Sequence, residues 1–600
     1  MKKGWAVLRV LYAVAAAAAV ALAAQSCDTV DGFKEGEEAV TWREKSQLVF
    51  SAAAETTDFS FTAREAWTVR SDDESVVTIT SGTSGPKGRC RIFLSVSENN
   101  TGAARKADIR ITVEGYEPEI LVTVNQSDTV EGDYAVNVQK IDPILAEYYL
   151  WNDEYVTLTR DFAQPYDEFL STTLLSMTTN GEDGSIDQNG RHTKLYSYIT
   201  RTPSSRTRSV ISKTAVPTYG VLNVILVQFY DKNGKPTNEY AFCVMGVYPN
   251  TPAERAGIRR GTWILKSDGK ALTAENVNSL YSEMVYSPTS GKSLKLTIMD
   301  EYSAEAERRD VTIAPSTMSL NPVLFSKVIE RGASKIGYLV YSDFEASFDD
   351  ELLAEIHKFQ SAGIDELVLD LRVNGGGHVI SSQMLSSIIA GSAGDGKICM
   401  KERYNQERMD AMGYSFPDNM YSYEFGPDAA HKGELISKYS RSDYLSLSRV
   451  YLLVSGLTAS ASELVFTALR GIDFPVTLIG ERTEGKNVGM EPQDFSYEGY
   501  DYSFYPITFR TYNAKNEYCD PDGTVPDIEA DEWTEGNSSF WPWGSENDPL
   551  LSLAIADITG ERPERTRAAE RADGMQARRE RLFRSPRGGM IAPHRAANAE

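Results

Sequence analysis

Three short segments carry residues whose types could perform acyl transfer. Ser460 lies in Thr458-Ala459-Ser460-Ala461-Ser462-Glu463, directly after the apolar run Val450-Tyr451-Leu452-Leu453-Val454. Lys486 closes Gly480-Glu481-Arg482-Thr483-Glu484-Gly485-Lys486, which follows the apolar run Val476-Thr477-Leu478-Ile479. A small-residue turn after a buried strand presents a hydroxyl at the carboxyl edge of a sheet, where open α/β sheets place ligands. A lysine after the next strand could reach that hydroxyl, and serine with a neutral lysine is a nucleophile and base pair. To work near neutral pH, that amine must fall from about 10.4 to about 7–8 by desolvation. The third segment, Leu367-Val368-Leu369-Asp370-Leu371-Arg372-Val373-Asn374-Gly375-Gly376-Gly377, is a strand running into three glycines. Their bare backbone N–H groups can face a developing negative charge. Singly, such segments have plain readings, because Ser-rich turns cap helices and Gly-Lys turns are solvated.

Together, in this order and spacing, the three resemble the C-terminal processing peptidases, also called tail-specific proteases. That family carries an Asp-Leu-Arg-x-Asn-x-Gly-Gly segment, a Ser-Ala-Ser-Ala-Ser-Glu-like nucleophile turn and a Gly-Glu-x-Thr-x-Gly-Lys base turn. The resemblance implies Ser460 as nucleophile and Lys486 as general base. It places the oxyanion hole at the backbone N–H groups of Ala461 and of a glycine in the run, taken as Gly376. It also implies an α/β core of the ClpP/crotonase-like kind and covers about residues 134–555. Two positions depart from the family pattern. Thr458 stands where the turn begins with Ser, and Met490 stands where many members have a Gln that orients the amine. Glu491 is next door, but a carboxylate there would favour the charged ammonium, so the third catalytic member is open. His378, just after the glycines, is read at most as a substrate contact.

The elements needed to position these residues are legible around them. Lys335 through Val340 reads as a buried strand and Phe348 through Gln360 as a helix. The glycine-run strand follows, so βαβ units and a largely parallel sheet are expected at about 320–555. Upstream, at about 217–300, Val244 through Tyr248 leads into Pro249-Asn250-Thr251-Pro252-Ala253-Glu254-Arg255-Ala256-Gly257-Ile258 and then Asp268-Gly269. This segment resembles a PDZ domain, a module that binds extended C-termini by strand addition. The resemblance puts its carboxylate loop, hence substrate binding, at Tyr219-Gly220-Val221-Leu222; the alternative is a scaffold that only gates the site. Residues 134–216 are expected to form a helical lead-in, with a Ser/Thr/Arg-rich loop at 202–214 that proteases would nick. Alternating short strands at 43–127 indicate an all-β sandwich. Trp67-Thr68-Val69, Glu98 through Arg105 and Val122 through Gln126 resemble the BACON domain. A spacer or adaptor role is expected there, with Trp67 in the core and carbohydrate binding as the lesser alternative.

The amino terminus sets the compartment. Lys2, Lys3 and Arg9 precede the short apolar stretch Val10 through Ala24, which ends Ala23-Ala24-Gln25-Ser26-Cys27. This resembles a bacterial lipoprotein signal of a relaxed, Bacteroidetes-like form, with residues 1–26 removed and Cys27 lipidated. The alternative is cleavage near Ala24 and a free product. Residues 27–42 would be an acidic tether, and the Arg-rich stretch 561–600 a disordered basic tail. Composition agrees with a multidomain exported protein of three or four domains in 600 residues. A formal net charge of −24 argues against a nucleic-acid partner. The four cysteines beyond Cys27 lack metal-ligand spacing and are read as buried thiols, and the five histidines lie in no Cys/His cluster. No metal or cofactor is expected. The resulting expectation is a serine endopeptidase, anchored by lipid in the cell envelope, outer membrane or periplasmic side. It would act on polypeptides through their free C-termini. The rival is a catalytically impaired peptide-binding or glycan-associated surface lipoprotein.

Overall fold

The computed structural model describes residues 39–561 and, beyond them, 577–580 and 590–591. Left out within that range are 43–46, 51, 53, 100, 102, 117–118, 128–132, 163, 178–182, 187–191, 204–214, 232, 287–290, 301–305, 428–438 and 534–539. The expected leader, Cys27, most of the tether and most of the nick-prone loop therefore lie outside the described residues. The chain divides into two units, Met1–Ser204 with Gln493–Ile507, and Ser205–Pro492 with Thr508–Glu600.

In the first unit, two sheets share one core. One contains Glu55–Ala63 and Gly88–Val96, and the other Arg105–Val113, Ile120–Gln126 and Trp67–Ser71. Their burial alternates residue by residue, as a half-buried strand demands. Phe59, Phe61, Ile92, Ile109, Val122 and Val124 fill the core, and Trp67 packs edge-on against Phe61 within it. Helices at Asp142–Tyr148 and Tyr166–Leu175 follow. The expected helical lead-in then becomes strands, and Tyr198–Pro203 pairs with the hairpin Gln493–Tyr497/Tyr500–Tyr505. That hairpin, carried by the later part of the chain, was not foreseen; pairing between strands some 300 positions apart leaves no local signature.

The second unit contains a six-stranded sheet in the order Val323–Arg331, Ser334–Tyr341, Glu366–Asp370, Val450–Val454, Val476–Gly480, Ile528–Glu529. Only the first pair is antiparallel. Its central strands are unbroken apolar runs because both faces are covered. Leu339, Leu369 and Leu452 point to one face, against helices Asp349–Ala362, Val379–Ala390 and Ala461–Gly471. Their neighbours Tyr338, Val340, Val368, Tyr451 and Leu453 point to the other. There they meet helix Pro549–Thr559 and the side chains of Ile225, Val227, Cys243, Met245 and Trp263. These last come from a second sheet in which Val221–Tyr230 and Pro236–Val247 form a long antiparallel pair. Cys90, Cys243, Cys399 and Cys519 are all buried.

Candidate active site

The parallel sheet brings the three segments to one edge. Glu366–Asp370 lies beside Val450–Val454, which lies beside Val476–Gly480, so the turns leaving their carboxyl ends are neighbours. Ser460 stands at the start of helix Ala461–Gly471 with φ 63° and ψ −117°. A non-glycine residue there costs of order 1–3 kcal/mol and persists only where its surroundings impose it. They do so through hydrogen bonds to the glycine strand. Ser455 Oγ donates to Arg372 O (2.7 Å) and Thr458 Oγ1 to Leu371 O (2.9 Å), while Ala459 N–H donates to Asn374 O (3.3 Å). Thr458 needs only its hydroxyl for this contact, so the departure from Ser is without structural consequence. The Ser460 hydroxyl is buried and has no hydrogen-bond partner among the described residues.

Glu463, three residues on, ties the nucleophile turn to the base turn. Its Oε2 accepts from Ser460 N–H (2.8 Å) and Lys486 N–H (2.9 Å). Its Oε1 accepts from Thr483 Oγ1 (2.6 Å), Gly485 N–H (2.8 Å) and Cys519 Sγ (3.1 Å). A direct backbone bond, Glu484 N–H to Thr458 O (3.0 Å), joins the same two turns. Burial pushes the Glu463 carboxyl above its ordinary value, opposed by these donors, and burial beside Glu463 pushes the Cys519 thiol well up. Lys486 is 2% exposed, a desolvated position of the kind a neutral amine requires. Sequence reasoning missed Glu463 as an organiser, because a Glu three residues after a Ser reads as an ordinary helix cap.

The glycine run lies directly against the nucleophile. A Cβ on Gly376, whose φ is +112°, would fall 2.8 Å from Ser460 Cβ and 3.0 Å from Ala461 N. The expected role of Gly376 as an oxyanion donor meets a different arrangement, since its N–H donates to Asn374 Oδ1 at 2.9 Å. Its contribution here is the absence of a side chain. Ala461 N–H heads the helix, where backbone donors have no intrahelical acceptor. Asn374, also missed, braces the run by donating from Nδ2 to Tyr341 O (3.0 Å) and accepting Ser462 Oγ–H at its carbonyl (3.1 Å). His378 faces Phe344 O through Nδ1 at 3.1 Å.

Met490 is buried and brings no oxygen to the base turn. The Glu491 carboxylate pairs with buried Arg408 at 2.5 Å, so its charge is compensated at close range. Below the run, Arg372 is fully buried among Asp370, Glu532 and Asp548 at 2.6, 2.8 and 3.0 Å. Glu532 also binds Arg260 at 2.5 Å, and Arg260 donates to Met245 O at 2.7 Å. This charge network ties the 221–313 module to the strand carrying the glycine run.

The four residues expected to capture a substrate carboxylate are placed otherwise. Tyr219 is buried, with its hydroxyl on Lys292 O (2.6 Å) and its carbonyl accepting Ala253 N–H (2.8 Å). Gly220 donates its N–H to Thr218 Oγ1 (2.9 Å) and accepts Tyr248 N–H (2.9 Å). Its φ of +93° and the Thr251 side chain crowding its Cα explain the glycine from within the chain itself. Val221 is buried and Leu222 packs toward Gly246.

Comparison with known proteins bears on this geometry. Residues 335–530 match the model described as Peptidase family S41. A carboxyl-terminal-processing protease from Picosynechococcus sp. is 32% identical over 129 residues, 22% of this chain and 30% of that protein. A protein of the same name from Synechocystis sp. is 23% identical over 245 residues, 41% of this chain and 49% of its own length. The chain thus spans half or less of these curated relatives. A putative S41 protease from Bacteroides fragilis, known as a crystal structure, shares the fold with TM-score 0.53 and 24% identity. It covers 70% of this chain and 97% of its own. The glycine run, Ser460 and Lys486 all lie inside the segment, residues 335–530, that matches peptidase family S41, a family of serine-type peptidases.

Proposed function

We propose that this chain is a serine endopeptidase that hydrolyses peptide bonds of exported polypeptides with Ser460 as nucleophile and Lys486 as general base. The observation that carries the reading is Glu463 Oε2, which accepts the backbone N–H groups of both residues and so holds them on one buried atom. The neutral Lys486 amine takes the Ser460 Oγ proton as Oγ bonds to the substrate carbonyl carbon. The carbonyl oxygen takes the charge beside the helix N-terminus at Ala461 N–H, where the helix dipole also favours an anion. The lysine ammonium returns its proton to the leaving amine as the C–N bond breaks. Water then hydrolyses the acyl-enzyme with the same base. With Met at position 490, the backbone of the base turn is held by Glu463 through the N–H groups of Gly485 and Lys486.

The lipid anchor at Cys27, the envelope location and the PDZ-like and BACON-like identities complete the reading. In the PDZ-like module, substrate would be engaged by strand addition along Val221–Tyr230 rather than by a carboxylate loop, because the Gly220 amide is already bonded. Incubating purified protein with unstructured polypeptides tests the core of this reading. Wild type should cleave them, while Ser460→Ala and Lys486→Ala, equally well folded, should not. Full activity in either variant would overturn the assignment.

A further inference from the structure

The last described residues of the chain occupy two strand positions that a polypeptide in transit would use. Ala577–Glu580 pairs antiparallel with Leu226–Phe229, so the outer strand of the 221–313 sheet is covered on its open side by the chain itself. Met590–Ile591 pairs in parallel with Gly377–His378 on one side and with Gly489–Met490 on the other. The first partner continues directly from the glycine run against Ser460, and the second begins three residues after Lys486. Without residues 590–591, those two strands would be separated by two interstrand spacings, about 9.5 Å. That is a slot one strand wide, lined by backbone N–H and C=O groups, between the nucleophile side and the base side of the site. Backbone pairing of this kind recognises any extended chain and demands little of its sequence. The order also fits: in the pairing with Leu226–Phe229 the tail runs toward Val221 as its numbering rises, and ten residues later it enters the slot.

We propose that the slot between Gly377–His378 and Gly489–Met490, together with the edge Leu226–Phe229, is a two-station binding track for extended polypeptide. The chain's own residues 577–580 and 590–591 occupy it as an intramolecular pseudosubstrate and hold the enzyme in check. The inhibitory half of this inference rests on the peptidase reading above; the occupancy half does not. A tail seated about ten times more often than not lowers the apparent affinity for substrate about tenfold, by the fraction of open molecules.

The test uses full-length protein and two tail variants, Arg578→Pro/Arg579→Pro and Met590→Pro/Ile591→Pro, which remove the backbone donors a ladder needs. Amide hydrogen exchange should speed up at Leu226–Phe229 in the first variant and at Gly377 and Gly489–Met490 in the second, while His378, whose N–H donates to Phe344 O, stays unchanged. A labelled peptide of residues 575–595 should bind the Met590→Pro/Ile591→Pro protein about tenfold more tightly than wild type, in a Ser460→Ala background that cannot cut it. With an unstructured substrate, the same tail variant should show a KM lower by about that factor and an unchanged kcat. Unaltered exchange and equal peptide binding in all proteins would overturn the track, whatever the activity. Altered exchange with an unchanged KM would overturn the pseudosubstrate role. If no protein cleaves anything, the peptidase reading fails, while exchange and peptide binding still decide occupancy.

Discussion

Glu463→Gln is nearly isosteric, yet its effect should be large. The carboxylate accepts three donors on Oε1 and two on Oε2. A Gln has one oxygen, so in its better orientation it keeps Thr483, Gly485 and Cys519 and turns its NH2 toward the amides of Ser460 and Lys486. Two charge-assisted hydrogen bonds are then lost at about 1.5–3 kcal/mol each, or about 3–6 kcal/mol together. Against a domain stability of about 5–15 kcal/mol, the variant should fold but with a clearly lower urea midpoint at constant m. The loss falls on the two backbone positions that place nucleophile and base, so kcat should drop with the midpoint. Cys519→Ala separates the two contributions, because it removes one neutral donor from the same carboxylate and should cost only about 0.5–1.5 kcal/mol. The pH dependence has a definite sign. With the folded carboxyl raised above 4.5 by burial, the folded state takes up this proton before the unfolded state does. Glu463 therefore adds no acid lability, and the stability gap between wild type and Glu463→Gln should widen as pH falls through its folded pKa toward 4.5. A Gln variant within about 1 kcal/mol of wild type and with unchanged kcat would refute the view that this carboxylate aligns the two turns.

Gly376→Ala should fold but lose about 10²-fold in kcat, since its methyl would press on Ser460 and Ala461; near-normal kcat would show that the run tolerates a side chain. Glu532→Gln leaves Arg260 and Arg372 with a neutral partner and should cost about 3–5 kcal/mol in chemical denaturation. In the same network, burial raises the Asp370 carboxyl, but Arg372, Tyr338 and Arg260 together bring it below its ordinary value, so its stabilisation is complete above 3.8 and lost as pH falls from there toward the folded value. An acid transition that Asp370→Asn leaves unmoved would contradict this. Peptides with free and amidated C-termini should be cleaved at rates differing by less than about tenfold, because the Gly220 amide is already bonded; a larger preference would restore carboxylate capture. Cys27→Ser should release the protein from membranes, and unchanged fractionation with no lipid mass on the mature chain would remove the anchor.

What was legible in the sequence is what local patterning determines. The apolar runs at 336–340, 367–371, 450–454 and 476–480 specify strands buried on both faces, because alternate side chains must find cover on opposite sides. The small residues after them locate the turns, and a strand followed by a helix implies its parallel neighbour. Those turns by themselves imply that Ser460, Lys486 and the glycine run meet at one sheet edge. Tertiary structure alone decided which atoms use which partners. Nothing local says that Glu463 bonds to residue 486 as well as to 460, that Gly376 spends its N–H on Asn374, or that Gly220 is shaped by Thr251. Nor does composition say that an Arg-rich C-terminal stretch pairs with strands flanking the site. Strand pairing is a backbone interaction that nearly any side chains permit, so its partner is chosen by which edges the folded sheets leave open and not by the sequence of the strand that fills them.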